Sequence, residues 1–438
     1  MEASTMSQYQ EGPEIESGKT KSLLEVDGDP NKCIIRNNNA ITANDDPSLT
    51  KSFASKAIFA TNTTCNSFEL LEKAGIPTAF IARHTEDSFV AKKTEMIPLE
   101  VIIRRYFDGS SLKRCPHLKP TEGKNPKRSS NLVFELFLKT TGGACLRNKE
   151  VLLQDVPVED PFIINPYDET WDLYQPKQQR HEASANLEIS IIAEKVLQGI
   201  QVSKIEQLTR KVFLVLEGAW KKLGYRYVDF KIEFGIDWKG HLVVSDVIDS
   251  DSARLRTPNW KDVSKQSFRD GSPLAEVEGK YNRVSILSNN LPLIPEQAII
   301  LWRGSPNDKS PEVPNISGIS VEEVTLSAHK KPALVLEKLN ELEAKYPQGA
   351  VIIAMAGMSN GLGPILSAQT IWPVINCPPS LDEHPEDVWS SLRLPSNVPA
   401  ATVVNPKNAV LNALNILSMT NPIAYMHRQY EMEEVVNS

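Results

Sequence analysis

Cysteine is scarce in this chain: five among 438 residues, at positions 33, 65, 115, 145 and 377, with no two spaced as C-x-x-C. An odd, scattered set argues against a disulfide framework and a structural zinc site, and fits a reducing compartment, so a cytoplasmic location is expected. Long apolar runs are also missing. The longest near a core strand covers about residues 350–356, far short of the roughly 18 residues that suggest a membrane span. The opening MEASTMSQYQEGPEIES is polar and acidic and has no apolar h-region, so it does not read as a secretory leader. Nor is there an excess of positive charge: 48 Lys and Arg stand against 55 Asp and Glu, a net charge of −7. With that balance and no basic stripe recognised, neither a nucleic-acid nor a membrane partner is expected. A local pocket for phosphates remains open.

What is present suffices for two packed domains. Hydrophobic residues make up 41%, and at about 100–200 residues per domain the length suggests two or three. Residues 1–16 read as a disordered lead. From 17 to 270 the pattern is α+β, with short apolar runs at 32–36 and 79–82. KAIFATNTTCNSFELLEK (56–73) reads as a helix stopped by Gly75. VFELFLK (133–139) and VDFKIEFGI (228–236) alternate apolar and charged residues, as half-buried strands do. Residues 189–223 carry helical spacing closed by Gly224. Residues 271–296, rich in Ser, Pro and Asn, read as a linker. Beyond it, apolar runs at 298–302, 350–356 and 374–377 alternate with helices, one marked by Leu336, Leu339 and Leu342 and another over 408–418. That grammar predicts an α/β domain over 297–438 with a parallel sheet.

Several clusters are candidates for chemistry. Ser17-Gly18-Lys19-Thr20-Lys21 offers a glycine and two lysines but lacks the upstream glycine of a P-loop; a solvated basic turn reads equally well. Arg104 and Arg105, then Gly109-Ser110, then Lys113-Arg114 suit a phosphate monoester, guanidinium forks being its natural receivers. An exposed edge strand is the plainer reading. Asp229, Lys231 and Glu233 share one strand face by the period of two. The run 242–248 would pair antiparallel with that strand across Lys239-Gly240, bringing Asp246 near Glu233. Two such carboxylates suit Mg2+, which completes its shell with water and phosphate oxygens; a polar face with ordinary ion pairs is the alternative.

In the second part, Gly304-Ser305-Pro306-Asn307-Asp308 follows a strand, where open α/β sheets hold ligands. Ser327-Ala328-His329-Lys330 ends the next strand, and its histidine either shuttles a proton or is structural. The segment Ala356-Gly357-Met358-Ser359-Asn360-Gly361-Leu362-Gly363-Pro364 supplies three glycines and backbone N–H groups fit for an anion.

In order, GKTK, MIPLEVIIRR…GSSLKR, VDFKIEFG, DVIDSDSARL and KQSFRD resemble the SAICAR synthetases, the phosphoribosylaminoimidazole-succinocarboxamide synthases of purine biosynthesis. GSPND, SAHK, AGMSNGLGP, CPP and DVWSSLRLP resemble AIR carboxylases of the animal type, over about residues 297–420. Both in one chain, synthetase first, resemble the bifunctional animal-type enzymes. The resemblance implies an α+β first domain with an antiparallel-sheet ATP site and an α/β second domain with a parallel sheet. It implies carboxylation of AIR to CAIR with CO2 alone, then ligation of CAIR with L-aspartate to SAICAR using ATP and Mg2+. It also implies a homo-octamer held chiefly through the carboxylase domains.

By the same resemblance, Lys19 and Lys21 meet nucleotide phosphates, Glu233 and Asp246 hold the metal, and Lys231 takes part in catalysis. Arg104, Ser110, Arg254 and Lys265 form the substrate pocket of the synthetase. Ser305 and Asp308 take the ribose-phosphate side of AIR. Ser359 and the amides around Gly357 hold CO2 or the new carboxylate, Ser327 and Asn360 also bind substrate, and His329 and Lys330 manage proton and charge. The chain departs from the pattern at Ser17, at Asn39 before Ile41-Thr42-Ala43, at Thr140-Thr141-Gly142-Gly143 and at Ser264. An atypical insertion covers about residues 141–180, with Asp160-Pro161 in place of the family's Asp-Pro. In the second half Met358 replaces an Arg, Ala368-Gln369 replaces Gly-Asn, and the helix after Asp308 is expected to be short and broken by Pro311 and Pro314. These changes raise the alternative of a catalytically impaired paralogue that keeps the fold for assembly or ligand binding, its carboxylase half weakened most.

Overall fold

The computed structural model describes residues 9–42 and 47–437, so residues 1–8 of the lead and Ala43 lie outside the described residues. The chain divides into two compact units, Met1–Leu293 and Ile294–Ser438.

The first unit rests on two antiparallel sheets. One contains β1 (Glu11–Ser17), β2 (Lys21–Val26), β3 (Asp29–Asn37), β4 (Phe80–Thr85) and β5 (Ser88–Lys92), in the order β1-β2-β3-β5-β4. The disorder expected up to residue 16 therefore gives way to a strand from Glu11. Its acidic side chains are not merely solvated, because Glu11 pairs with Arg36 and with His84. Helix α1 (Lys56–Lys73) packs on β3, β4 and β5. It ends as predicted at Gly75, where φ is +72° and the N–H groups of Gly75 and Ile76 reach back to Glu72 and Leu71. Glycine takes that left-handed position without the Cβ penalty.

The second sheet has nine strands, with β6 (Leu99–Tyr106) between β7 (Arg128–Leu138) and β8 (Arg226–Asp237). β8 also pairs with β9 (Leu242–Ser245) and β10 (Ala253–Arg256). Helix α2 (Val202–Lys222) packs on β8 and β6, and its Phe213 meets Phe230 edge-on at 5.4 Å. Since side chains alternate along a strand, that contact leaves Asp229, Lys231 and Glu233 on the other face. The helix expected over 189–223 is interrupted: Asn186–Ile192 is a strand, Ala193–Leu197 a single helical turn, and Gln198 and Gly199 adopt φ of 46° and 84° before α2 starts. The insertion folds as a hairpin, Cys145–Arg147 with Glu150–Leu153, followed by strands Phe162–Ile163 and Thr170–Tyr174 that widen the large sheet.

The expected linker 271–296 contains helix α3 (Leu274–Ser288), packed on α1. Its polar residues are interface, not tether. Asn62 of α1 donates to Ser285 and Asn289, and Asn66 donates to Ser288 and Asn289, all at 2.9–3.0 Å.

The second unit is a parallel sheet of β11 (Gln297–Arg303), β12 (Ile319–Thr325), β13 (Ala350–Met355), β14 (Val374–Asn376) and β15 (Ala401–Thr402), in the order β12-β11-β13-β14-β15. Helices α4 (Pro332–Lys345), α5 (Leu362–Ser367), α6 (Pro406–Leu417) and α7 (Pro422–Asn437) complete it. On α4 the buried stripe is Val335, Leu339 and Leu342, while Leu336 faces out. No helix forms between 304 and 318, so the short helix expected after Asp308 is absent; Pro311 and Pro314 each remove a backbone donor there. The five thiols are free, and all but Cys115 are buried. No helix among the described residues is long and apolar enough to cross a membrane.

Candidate active sites

At one end of the polar face of β8, Arg104 and Arg254 share a single carboxylate. Asp229 accepts from Arg104 and, at 2.6 Å, from Arg254. β6 places Arg104 directly opposite Asp229, and β10 places Arg254 there from the other side. Arg104 also donates to Glu135 at 2.7 Å, and Ser110 Oγ lies 3.4 Å from its Nη2. Burial works against charge on Arg104, yet Glu135 and Asp229 outweigh it and hold the guanidinium above its ordinary value. Burial would raise the Glu135 carboxyl, but Arg104 and Arg114 pull it down to about 2. A Cβ at Gly109 (φ +60°) would stand 2.3 Å from Arg254 Nη2, so only glycine lets the loop close on that side chain. The structure thus gathers Arg104, Ser110 and Arg254. It removes two others from the expected phosphate receiver: Arg105 is fully buried on Glu217 of α2 at 2.9 Å, and Arg114 is buried on Glu135.

At the other end of that face, Glu233 stands opposite Ser245, and Asp246 follows at φ +65°. Asp246 pairs with Lys21 of β2, Glu233 pairs with Lys139, and Lys231 lies between Glu100 and Glu233, 3.7 Å from the latter. Burial brings the Lys21 ammonium down to about 8, with Lys139 and Lys231 adding to the effect and Glu233 and Asp249 opposing it. Burial would raise Glu233, but Lys139, Lys231 and Lys21 hold it below the usual carboxylate range. Among the described residues no three acidic, His or Cys side chains group closely enough to hold a metal by themselves. Two lysine-neutralised carboxylates fit Mg2+ that arrives with a nucleotide and takes its remaining oxygens from phosphates and water. Lys19 sits in the exposed turn after β1, its carbonyl accepting from Asn38 at 3.2 Å. Lys265 stands 3.5 Å from Asp251, which also pairs with the buried Lys56 at 3.1 Å and accepts from Tyr281 of α3.

Glu100, Lys139 and Glu135 were not singled out in the sequence, and Asp229 and Asp160 were named there without a site role. The alternation that exposed Glu233 would have exposed Glu100 and Glu135 too, since both lie on alternating strands; Asp160 sits in the insertion. Thr140 donates its N–H to Asp160 at 2.7 Å. Burial, with Glu100 adding, pushes the Asp160 carboxyl up to about 7 against the pull of Thr140 and Lys231. A group that binds its proton more tightly when folded contributes stability that is complete below the unfolded value, near pH ~4, and lost as pH rises through the folded one. Asp160→Asn is therefore expected to raise the urea midpoint over wild type at about pH 8 and not at about pH 4. An equal effect at both would show that Asp160 is charged throughout.

In the second unit three loops meet beyond the strand ends, at the point where strand order reverses between β11 and β13. Gly304 N–H donates to Met355 O at 2.8 Å. Asp308 closes its own turn by accepting from Ser305 N–H at 2.9 Å; burial raises its carboxyl, with that amide and Arg303 opposing. The exposed His329 lies over Gly361, where a Cβ would stand 2.6 Å from Nε2, while Lys330 projects from the same exposed loop. Ser327 is half-buried at its base. The glycine loop itself is strapped from 387–391. Asp387 accepts from Met358 N–H at 2.5 Å, Ser390 Oγ accepts from Asn360 N–H at 3.0 Å, and Ser391 Oγ accepts from Asn360 Nδ2 at 3.0 Å. Met358 holds φ +56° with its side chain 81% exposed, beside the exposed Ser359 and the half-buried Gly357. Asn376 Oδ1, fully buried and without a partner, presses on Gly363, where any Cβ would fall 1.7 Å away.

The fold and these side-chain clusters define a class first: a two-unit chain whose antiparallel half presents paired cationic and carboxylate clusters and whose parallel half carries a glycine loop at a switch point. The family model for SAICAR synthetase matches residues 14–148 and 170–286, leaving the core of the insertion unmatched, and the model for AIR carboxylase matches 309–434. The bifunctional phosphoribosylaminoimidazole carboxylase/phosphoribosylaminoimidazole succinocarboxamide synthetase of Drosophila melanogaster is 32% identical over 429 residues, covering 94% of this chain and 90% of its own length. That of Homo sapiens is 31% identical over 437 residues, covering 94% and 92%. The solved phosphoribosylaminoimidazole-succinocarboxamide synthase of Ehrlichia chaffeensis has a TM-score of 0.48 and 23% identity, covering 64% of this chain and 99% of that one. The chain belongs to the bifunctional AIR carboxylase/SAICAR synthetase family of purine biosynthesis.

Proposed function

We propose that the first unit is a working SAICAR synthetase, joining CAIR to L-aspartate at the expense of ATP. One observation carries this: a single sheet face with an Arg104–Asp229–Arg254 cluster at one end and Lys21, Glu233 and Asp246 at the other. Asp229 and Glu233 are about 13 Å apart along the strand at ~3.3 Å per residue. That separation suits a substrate whose phosphate lies at one end and whose reacting carboxylate lies at the other. In the reaction the CAIR carboxylate takes the γ-phosphoryl group, releasing ADP; the aspartate amine then attacks the acyl carbon, phosphate leaves and the amine gives up a proton. Arg104, Ser110 and Arg254 hold the ribotide phosphate, Lys19 and Lys21 steady the nucleotide phosphates, and Lys231 keeps the reacting carboxylate oriented. Lys265 completes the substrate pocket. Mg2+ on Glu233 and Asp246 would offset charge on the triphosphate. Removing these carboxylates forfeits several kcal/mol of that stabilisation, so Glu233→Gln or Asp246→Asn is expected to lower turnover about 10³-fold. A coupled assay of ADP release checks this; turnover unchanged in both variants would remove the metal role.

The second unit is proposed to carboxylate AIR with CO2, with Ser305 and Asp308 toward the phosphate, Ser327, Gly357, Ser359 and Asn360 around the carboxylate, and His329 and Lys330 managing proton and charge. The outward Met358 and the missing helix after Asp308 favour weakened activity here. A cytoplasmic homo-octamer is the assembly proposed from the family resemblance. The stripe on α6 (Ala409, Val410, Ala413, Leu414 and Leu417) is already buried in its own unit and gives no support to it. Ile371, 99% exposed, and Met419, 77% exposed, remain as candidates for contact. Light scattering at micromolar concentration should show an oligomer; a monomer alone would end the assembly proposal.

A further inference from the structure

The segment between Tyr106 and Arg128 leaves and re-enters the large sheet at one place: Phe107 N–H donates to Lys127 O at 3.1 Å, and Arg128 stands opposite Tyr106. Both ends lie at the end of β6, two residues beyond Arg104. The loop is a compact Ω-like closure, pinned inward by Arg114, which is buried on Glu135 and donates to Pro176 O at 2.7 Å. Everything else basic on it points outward. Lys113, His117, Lys119, Lys124, Lys127 and Arg128 are exposed, and among the described residues none forms an ion pair with a carboxylate. The loop's acids are only Asp108, held by Arg256 at 3.0 Å, and Glu122. A chain of net charge −7 thus concentrates unpaired positive charge at one rim, a stripe that the whole-chain balance conceals.

We propose that this loop is an electrostatic collar that draws anionic phosphomonoester ribonucleotides into the Arg104–Ser110–Arg254 pocket. The inference rests on the synthetase reading of that pocket and extends it to how the substrate is captured. Charges of one sign around a cleft raise the local concentration of a counter-ion and its rate of entry. The collar's floor sets Arg104, Arg254 and Arg114 against Asp229 and Glu135, so it too carries a positive excess. A single-stranded nucleic acid fits less well. The segment's one aromatic is Phe107, at its closing hydrogen bond, and the basic part of the loop, 108–128, contains no Phe, Tyr or Trp on which a base could stack; the acidic chain beyond the rim repels a long polyanion.

The test uses the full-length protein with Lys113, Lys119, Lys124 and Lys127 all changed to Gln, and a second variant with the same four changed to Arg. Titration calorimetry measures the Kd of CAIR and of its dephosphorylated nucleoside in about 20 mM and about 300 mM KCl, the range over which the Debye length falls from ~20 Å to ~6 Å. The Gln variant should bind CAIR about tenfold more weakly at low salt and only about twofold more weakly at high salt, with the nucleoside unaffected and the Arg variant matching wild type. Equal CAIR affinity and equal salt dependence in wild type and Gln variant would overturn the collar while leaving the pocket's reading intact. Failure of wild type to bind CAIR at all would overturn both. If the Gln variant lost binding of a single-stranded oligonucleotide while CAIR binding stayed unchanged, the loop would be a nucleic-acid surface and the collar would again be wrong.

Discussion

Asp229→Ala is expected to destabilise the first unit by about 3–5 kcal/mol, the usual cost of breaking a buried ion pair from one side. Asp229 is buried and is the carboxylate on which Arg104 and Arg254 converge. Without it two guanidiniums would face each other, and only Arg104 would keep a carboxylate, Glu135. Burial already lowers Arg254, and Arg104 pushes it the same way, so the loss falls hardest there. Asp229→Asn keeps the shape and one acceptor and should cost less. Urea unfolding of the intact protein is the check, reading the first unit's transition separately, since two units need not unfold as one. A midpoint unmoved by the Ala change would mean that the two arginines are held by other groups.

Met358→Arg is expected to tighten AIR or CAIR binding in the second unit by one to two decades, because a charge-assisted hydrogen bond is worth roughly 1.5–3 kcal/mol. The site can take the change without rebuilding. Met358 points outward, its N–H is already fixed by Asp387 and its carbonyl by Ser390 Oγ at 3.0 Å. Its left-handed φ accompanies those two backbone contacts, which an arginine can make equally. Titration calorimetry and carboxylase turnover on both proteins decide the matter. Strong native turnover with no gain from the arginine would show the departure to be harmless and retire the impaired-paralogue reading for this half.

The elements most legible in the sequence were those whose burial is one-sided or complete. The alternation in VDFKIEFG located β8, and the apolar run at 350–356 located β13, because period and length leave few other solutions. Composition misled where polar residues do structural work. The Ser- and Asn-rich stretch after 271 reads as a tether, yet Ser285, Ser288 and Asn289 are the hydrogen-bond partners of α1. Helical spacing over 189–223 hid a strand, since Ile191 and Ile192 serve either period.

For the sites, residue type and spacing found the charges but not their pairing. Arg104 and Arg105 look equivalent in a string; neighbours on a strand point to opposite faces, so one joins Asp229 on the polar face and the other is spent on Glu217. Lys21 and Asp246 are far apart in sequence and meet only because β2 and the end of β9 do. The Gly363–Asn376 contact and the strap from Asp387 to Ser391 likewise need a fold before they exist.

The packing of α3 on α1 also sets where this protein can be divided for study. A gene fragment stopped at residue 270, the boundary that composition suggests, would strip the cover from Asn62 and Asn66 and take away the Tyr281 hydroxyl that helps hold Asp251 beside Lys56 and Lys265. Such a fragment would report the loss of its own last helix and be mistaken for an inactive enzyme. One ending after Leu293 retains the helix and keeps the first unit's internal contacts whole.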